Sequence, residues 1–335
     1  MRDLLAPVGM AFGGITELRN QLYAKEFIRS EKLNRPVVSV GNLTVGGTGK
    51  TPVVDAILTQ IENQNLRACV LTRGYGRLNL DTSSKIINSE SSPLDCGDEP
   101  VWLARRHQKS VVVVGADRVA SSQLVESPDI YILDDGLQHL RIKRDLDIVL
   151  LDCTAPHWHY KPLPWGYGRE SFSGIKRSDL VILTRVNQAI LEQVENLKNT
   201  VKGFGVSKII ESQLAVASCK DIWAGQNKNI IGKKVYLVSG IANPKSFEKS
   251  AIDFGAQVVG HDMKADHYIY TQDCIDKVSA QAENLGAEFI VTTEKDGVKI
   301  RLLKDRGVPM GELQMKMEFQ PQLPGIYDLA SQYIR

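Results

Sequence analysis

The stretch VVSVGNLTVGGTGKTPVVDAI (37–57) decides the fold class. Its opening apolar run reads as a strand, and Val54, Ile57, Leu58 and Ile61 then recur at the spacing of one helix face. Between strand and helix stand Gly46, Gly47 and Gly49, followed by Lys50 and Thr51. Glycines at such a turn let successive backbone N–H groups point into one concavity and aim the helix N-terminus at an anion. Lys50 then reaches the β- and γ-phosphates of a nucleotide, and the Thr51 hydroxyl sits on Mg²⁺. Pro52 suits a first helical turn, where its missing N–H costs nothing. The spacing matches G-x-x-x-x-G-K-[ST] except at Thr44, which stands where the first glycine would be. The expected nucleotide-binding loop is therefore Thr44, Val45, Gly46, Gly47, Thr48, Gly49, Lys50 and Thr51, against the plainer alternative of a Gly-rich turn.

Working outward, PVVSV (36–40), ACVLT (68–72), SVVVVG (110–115), IYILDD (130–135) and LDIVLLD (146–152) read as strands separated by helix-length segments. Near-continuous apolar strands of this kind predict a mostly parallel sheet covered by helices on both faces, an α/β fold of the P-loop NTPase type. The loop follows the first strand at its carboxyl end, where open α/β sheets bind ligands. Around HWHYKPLPWGYGRES (157–171) the texture turns to prolines, glycines and aromatics, a plausible boundary. Beyond it DLVILT (179–184), KVYLVSG (234–240), AQVVG (256–260) and EFIVTT (288–293) predict a second, smaller α/β domain. The expected division is 1–34 as an N-terminal interface helix, 35–152 as the nucleotide core, and 153–312 as the smaller domain forming the cleft. LQMKMEF (313–319) alternates and reads as a strand returning to the core with 313–335.

With 41 basic and 39 acidic residues in 335, charge is nearly balanced, and no nucleic-acid partner is expected. The five cysteines lie far apart with no C-x-x-C pair, which suits a reducing compartment and argues against a disulfide framework or zinc site. Leu4 to Thr16 is uncharged but broken by Pro7, Gly9, Gly13 and Gly14, short of the ~18–20 apolar residues of a spanning helix. No secretory leader is expected either. From Ile15 onward Leu18, Leu22, Tyr23 and Phe27 alternate with Arg19, Lys25, Arg29 and Lys32. That stripe fits a membrane interface or a helix docked on its own domain.

A magnesium–nucleotide site needs a second acidic group, and YILDDGLQH (131–139) supplies Asp134 and Asp135 at a strand end. Adjacent carboxylates repel unless a cation is near, so the pair favours a metal, with a helix cap as the alternative. CGDEP (96–100) offers Asp98 and Glu99, one a candidate general base and the other a metal-shell group, or else a solvated acidic turn. LTRGYGR (71–77) and GADR (115–118) bring Arg73, Arg77 and Arg118 to strand carboxyl ends, where arginine reads as phosphate recognition or surface pairing. KADHYIYT (264–271) places His267 beside Asp266, a base, its orienter or a structural histidine. TTEKDGVKI (292–300) is dense in reactive side chains without a role of its own.

Taken in order, VGNLTVGGTGKTP, TRGYGR, GDEP, GADR, LDDGLQH, DH-x-x-Y and TTEKD resemble the tetraacyldisaccharide 4'-kinase family of lipid A biosynthesis, over about residues 35 to 300. The resemblance implies ATP- and Mg²⁺-dependent phosphorylation of the 4'-hydroxyl of an acylated glucosamine disaccharide 1-phosphate lipid, giving lipid IVA. It implies work at the cytoplasmic face of the bacterial inner membrane, with the membrane surface met through the N-terminus and no obligate protein partner. By the same resemblance the catalytic residues are Asp98 as general base, His267 as its partner across the cleft, and Lys50. The metal shell falls to Thr51, Glu99, Asp134 and Asp135, and substrate or phosphate contacts to Arg73, Tyr75, Arg118, Arg169 and Glu170. One departure is Tyr268, standing where the family pattern has a second histidine. The competing expectation is a P-loop NTPase that couples hydrolysis to a partner protein.

Overall fold

The computed structural model describes residues 2–74, 83–305 and 309–332. Seven strands come first: β1 (Val37–Asn42), β2 (Ala68–Thr72), β3 (Lys85–Ile87), β4 (Val111–Val114), β5 (Ile130–Asp134), β6 (Leu146–Asp152) and β7 (Leu180–Thr184). Six follow: β8 (Ile209–Asp221), β9 (Asn227–Lys228), β10 (Lys234–Ser239), β11 (Gln257–Met263), β12 (Phe289–Thr293) and β13 (Met310–Gln320). Among the described residues they form one 13-stranded sheet in the order β11-β10-β12-β13-β8-β7-β6-β1-β5-β2-β4-β3, with β9 on β8. Pairing is parallel except at β3–β4, β13–β8 and β8–β9.

The predicted runs become strands because both of their faces are covered. In β1, Val38 and Val40 enter the cluster under the Lys50–Asn63 helix, while Val37 points to the opposite cluster with Leu71 and Leu133. That alternation is the two-residue period of a pleated strand. The Lys50–Asn63 helix buries Val53, Val54, Ile57, Leu58 and Ile61 on the sheet and fixes the loop before it.

The sheet shows no break at residue 153. β7 pairs in parallel with β6, and Ile209–Glu211 of β8 continue on β7, so the nucleotide half extends well past the expected boundary. The aromatic stretch 157–171 is not a linker but a docked segment. Val45 N–H donates to Tyr167 O at 2.8 Å and Arg169 N–H to Leu43 O at 2.8 Å, tying it to the phosphate loop. Gly166 lets the segment fold back on itself, since a Cβ there would lie 2.3 Å from Trp158 O. At the other end β13 runs along β8, Met317 and Phe319 pack on the first-half core, and Ile326 N–H donates to Gln60 Oε1 at 2.8 Å.

The N-terminal helix, Ala6–Ala24, turns Gly9, Gly13, Thr16 and Asn20 inward. A Cβ at Gly9 would lie 2.6 Å from Trp165 Cβ and one at Gly13 3.0 Å from Pro162 Cγ, so small residues set the contact. Val8, Met10, Ile15 and Leu18 are left exposed, with Leu4 and Phe27 before and after the helix. No helix among the described residues is long and apolar enough to cross a membrane.

Candidate active site

The phosphate loop is built by the end of β1 and the start of its helix. Gly46 and Gly49 take left-handed φ of 104° and 86°, which side chains resist, and Gly46 and Gly47 face open space. Buried Thr48 Oγ1 and Asn42 Nδ2 have no hydrogen-bond partner among the described residues. Unpartnered polar groups around an open, glycine-lined concavity fit a bound polyphosphate. Lys50 Nζ, the cation expected there, lies 3.2 Å from Asn42 Oδ1 and 3.4 Å from Asp135 Oδ1.

Five acidic or hydroxyl groups converge beside it. Thr51 Oγ1 donates to Glu99 Oε2 at 2.7 Å, joining the loop to the GDEP turn. Asp134, buried at the end of β5, accepts from Thr72 Oγ1 at 2.8 Å. Burial first, then the Glu99 and Asp135 carboxylates, push Asp134 up to about 6. Burial also works to raise Asp135, but Lys50 and Arg169 outweigh it and hold that carboxyl below its ordinary value. A cation beside Asp134 would relieve the strain of like charges. The described residues contain no cluster of three or more His, Cys, Asp or Glu side chains able to hold a metal alone. Mg²⁺ takes one or two carboxylates and completes its shell with phosphate oxygens and water.

Asp98 opens the Asp98–Arg106 helix after Gly97, whose φ of 93° demands glycine. Its Oδ2 accepts from Lys299 Nζ at 2.9 Å and faces His267 Nδ1 at 3.2 Å. Burial favours the neutral acid, yet the His267 and Lys299 contacts prevail and hold Asp98 below the usual carboxylate range. Lys295 Nζ lies 3.3 Å from His267 Nε2 and 3.4 Å from Glu99 Oε1. An ammonium can only donate, so Nε2 accepts and Nδ1 carries the proton toward Asp98. His267 holds a left-handed φ of 59°, with its N–H bonded to Gly240 O at 3.1 Å.

The expected site residues thus divide. Lys50, Thr51, Asp98, Glu99, Asp134, Asp135 and His267 come together. Arg169 joins them through Asp135 at 2.6 Å. Arg118 is buried and donates to the Asp134 carbonyl at 2.9 Å, supporting the strand end. Arg73 is exposed after β2, and Tyr75 and Arg77 lie outside the described residues. Glu170 is the correction. It is 1% exposed, and Asn20 Nδ2, Gln138 Nε2 and Arg177 Nη2, each at 2.8 Å, occupy its oxygens. A carboxylate so engaged anchors the N-terminal helix and has no oxygen to offer a substrate. Lys295 and Lys299 were not among the expected residues; their place one turn apart on the Glu294–Ile300 helix, after a strand end, is the sequence signal for them.

The family model described as tetraacyldisaccharide-1-P 4'-kinase matches residues 1–328. A protein of Pelobacter propionicus named tetraacyldisaccharide 4'-kinase is 36% identical over 305 residues, covering 89% of this chain and 83% of that one. One of the same name from Bdellovibrio bacteriovorus is 31% identical and covers 100% of both. Among solved structures, the "apo" form of LpxK from Aquifex aeolicus in complex with ATP aligns with a TM-score of 0.79 at 27% identity, over 100% of this chain and 99% of that one.

Proposed function

The chain belongs to the tetraacyldisaccharide-1-P 4'-kinase family, and from that premise we propose how its residues divide the work. The reaction is transfer of the γ-phosphate of ATP to the 4'-hydroxyl of a tetraacyldisaccharide 1-phosphate, giving lipid IVA. One observation carries the assignment: Asp98 is gripped by His267 and Lys299 from the far half, while its neighbour Glu99 accepts from Thr51 of the phosphate loop. A base and a phosphate grip on successive residues are what in-line transfer to an alcohol requires.

Residues 44–51 bind the phosphates through backbone N–H groups and the helix N-terminus, and Lys50 turns to the β- and γ-phosphates. Thr51 and Asp134 would hold Mg²⁺, with Glu99 and Asp135 beside them, and the ion would supply positive charge against the phosphates. Asp98 takes the proton of the acceptor hydroxyl, a poor nucleophile without a base. His267 keeps the Asp98 carboxylate oriented, and Arg169 with Arg73 supplies positive charge for phosphate groups.

The acceptor is acylated, and the N-terminal helix suits it. Its outward Val8, Met10, Ile15 and Leu18, with Lys25, Arg29 and Lys32 close behind, form an apolar face edged by cations. Such a face lies in a membrane interface, here the cytoplasmic one. A cavity of about 440 Å³ between this helix and the docked aromatic segment, lined by Met10, Gly13, Pro162, Trp165 and Phe172, gives an acyl chain a place out of water.

The test follows γ-labelled ATP with and without a detergent-dispersed acylated disaccharide phosphate. Label should pass to the lipid with little hydrolysis when the acceptor is absent. Strong acceptor-independent turnover without lipid labelling would overturn the kinase reading.

A further inference from the structure

The TTEKD stretch (292–296) ends β12 and opens the Glu294–Ile300 helix. Its last residue, Asp296, has no part in the reaction above, yet it is 0% exposed. Burying a carboxylate is costly unless it is paired and hydrogen-bonded, so its partners decide what it does. Oδ2 accepts from Gly240 N–H at 2.9 Å and from Thr293 Oγ1 at 2.8 Å. Oδ1 lies 3.4 Å from Lys299 Nζ, one turn along the same helix.

Two of these contacts reach Asp98 in one further step. Lys299 Nζ, held by Asp296 on one side, donates to Asp98 Oδ2 at 2.9 Å on the other. The Tyr270 ring, 5.6 Å from Nζ, closes a third side. Gly240 O accepts from His267 N–H at 3.1 Å, and His267 Nδ1 faces the same Asp98 oxygen at 3.2 Å. A Cβ at Gly240 would crowd Tyr268 Cβ at 3.0 Å and Asp296 Oδ1 at 3.1 Å, so glycine keeps this joint close.

Both partners of Asp98 need such support. Lysine carries a point charge on a flexible four-carbon stem and keeps one position only if something holds it. A carboxylate three residues earlier on its own helix does that. The left-handed φ of 59° at His267 persists only where the surroundings enforce it, and Gly240 O supplies one such restraint.

We infer that Asp296 is a positioning residue for the base. Its two oxygens set Lys299 and His267 on Asp98 Oδ2, which leaves Asp98 Oδ1 to the acceptor hydroxyl. The inference rests on the reading of Asp98 as that base. The rival role is a carboxylate that only steadies the start of its helix.

Phosphoryl transfer to the lipid and equilibrium binding of ATP, both on the full chain with Mg²⁺, separate the two. Asp296→Asn keeps the shape and an acceptor for Gly240 N–H but not the charge that holds Lys299. It should lower kcat by about 10–100-fold and leave the Kd for ATP within about twofold. In an Asp98→Ala background the same substitution should change kcat by less than about twofold, since groups that act through one residue are not additive. A loss of equal size in both backgrounds, or an ATP affinity that fell with kcat, would make Asp296 a structural carboxylate and overturn its positioning role. Should Asp296→Asn show no cooperative thermal transition, Lys299→Gln carries the same comparison. A Lys299→Gln loss that survived in Asp98→Ala would likewise overturn the inference. Normal turnover by Asp98→Ala alone would instead remove the base reading.

Discussion

The two halves of the sheet reach the same site by different means. The phosphate-loop half uses backbone and short side chains at strand ends, such as Gly46, Gly49, Thr51 and Asp134, seated on the core packed beneath β1 and β5. The far half uses long side chains, His267, Lys295 and Lys299, that cross to meet Asp98 and Glu99. In the proposed mechanism, groups of the first kind would set where a nucleotide sits, and groups of the second kind the state of the base that receives the sugar's proton. Losses in the phosphate loop should therefore appear in nucleotide binding, and losses at Asp98 or its far-half partners in turnover.

The largest effect belongs to Lys50→Ala, which takes the one cation out of the loop. Transfer should fall nearly to background, with a measurable loss of ATP affinity by calorimetry. Asp98→Ala should lower kcat by roughly 10²–10⁴-fold while ATP still binds, the usual worth of a general base. His267→Ala, which acts through Asp98, should cost less, about 10–100-fold, with the KM for ATP held. A far-half variant that lost ATP affinity as fully as Lys50→Ala would erase the distinction between the halves.

The near half was the legible one. A strict glycine, lysine and threonine spacing between a strand and a helix has few physical uses, so residues 44–51 and the strands around them could be read directly. β8 could not, because IIESQLAVASCKD mixes half-buried polar and apolar positions as it passes from β7 to a long pairing with β13. Lys299 could not be matched to Asp98, since no local pattern names a partner two hundred positions away. Glu170 misled for the same reason, its partners Asn20, Gln138 and Arg177 being scattered along the chain. The N-terminal helix showed two faces but not which one is inward. The close backbones of Pro162 and Trp165 decided it in favour of the glycines.

The smallest effect sharpens the comparison where the halves meet. Glu294 of the far half accepts from Arg106 at 2.8 Å and Trp102 at 3.2 Å, both on the Asp98 helix, and from Met315 N–H at 2.8 Å. Burial drives its carboxyl up from the ordinary 4.5 to about 7, against the pull of Met315 N–H and Arg106. In that window the folded chain keeps a proton that the unfolded chain releases. The contribution to stability is thus complete below the unfolded value and is lost as pH rises through the folded one. Glu294→Gln is neutral throughout and removes this slope. Thermal unfolding at pH 5 and pH 7.5, with Mg²⁺ in both, should show wild type losing roughly 2–6 °C more than the variant. The raised carboxyl of Asp134 is common to both proteins and cancels in the difference. Parallel pH profiles would mean that Glu294 stays ionised against Arg106, and that the seam between the halves is an ordinary salt bridge.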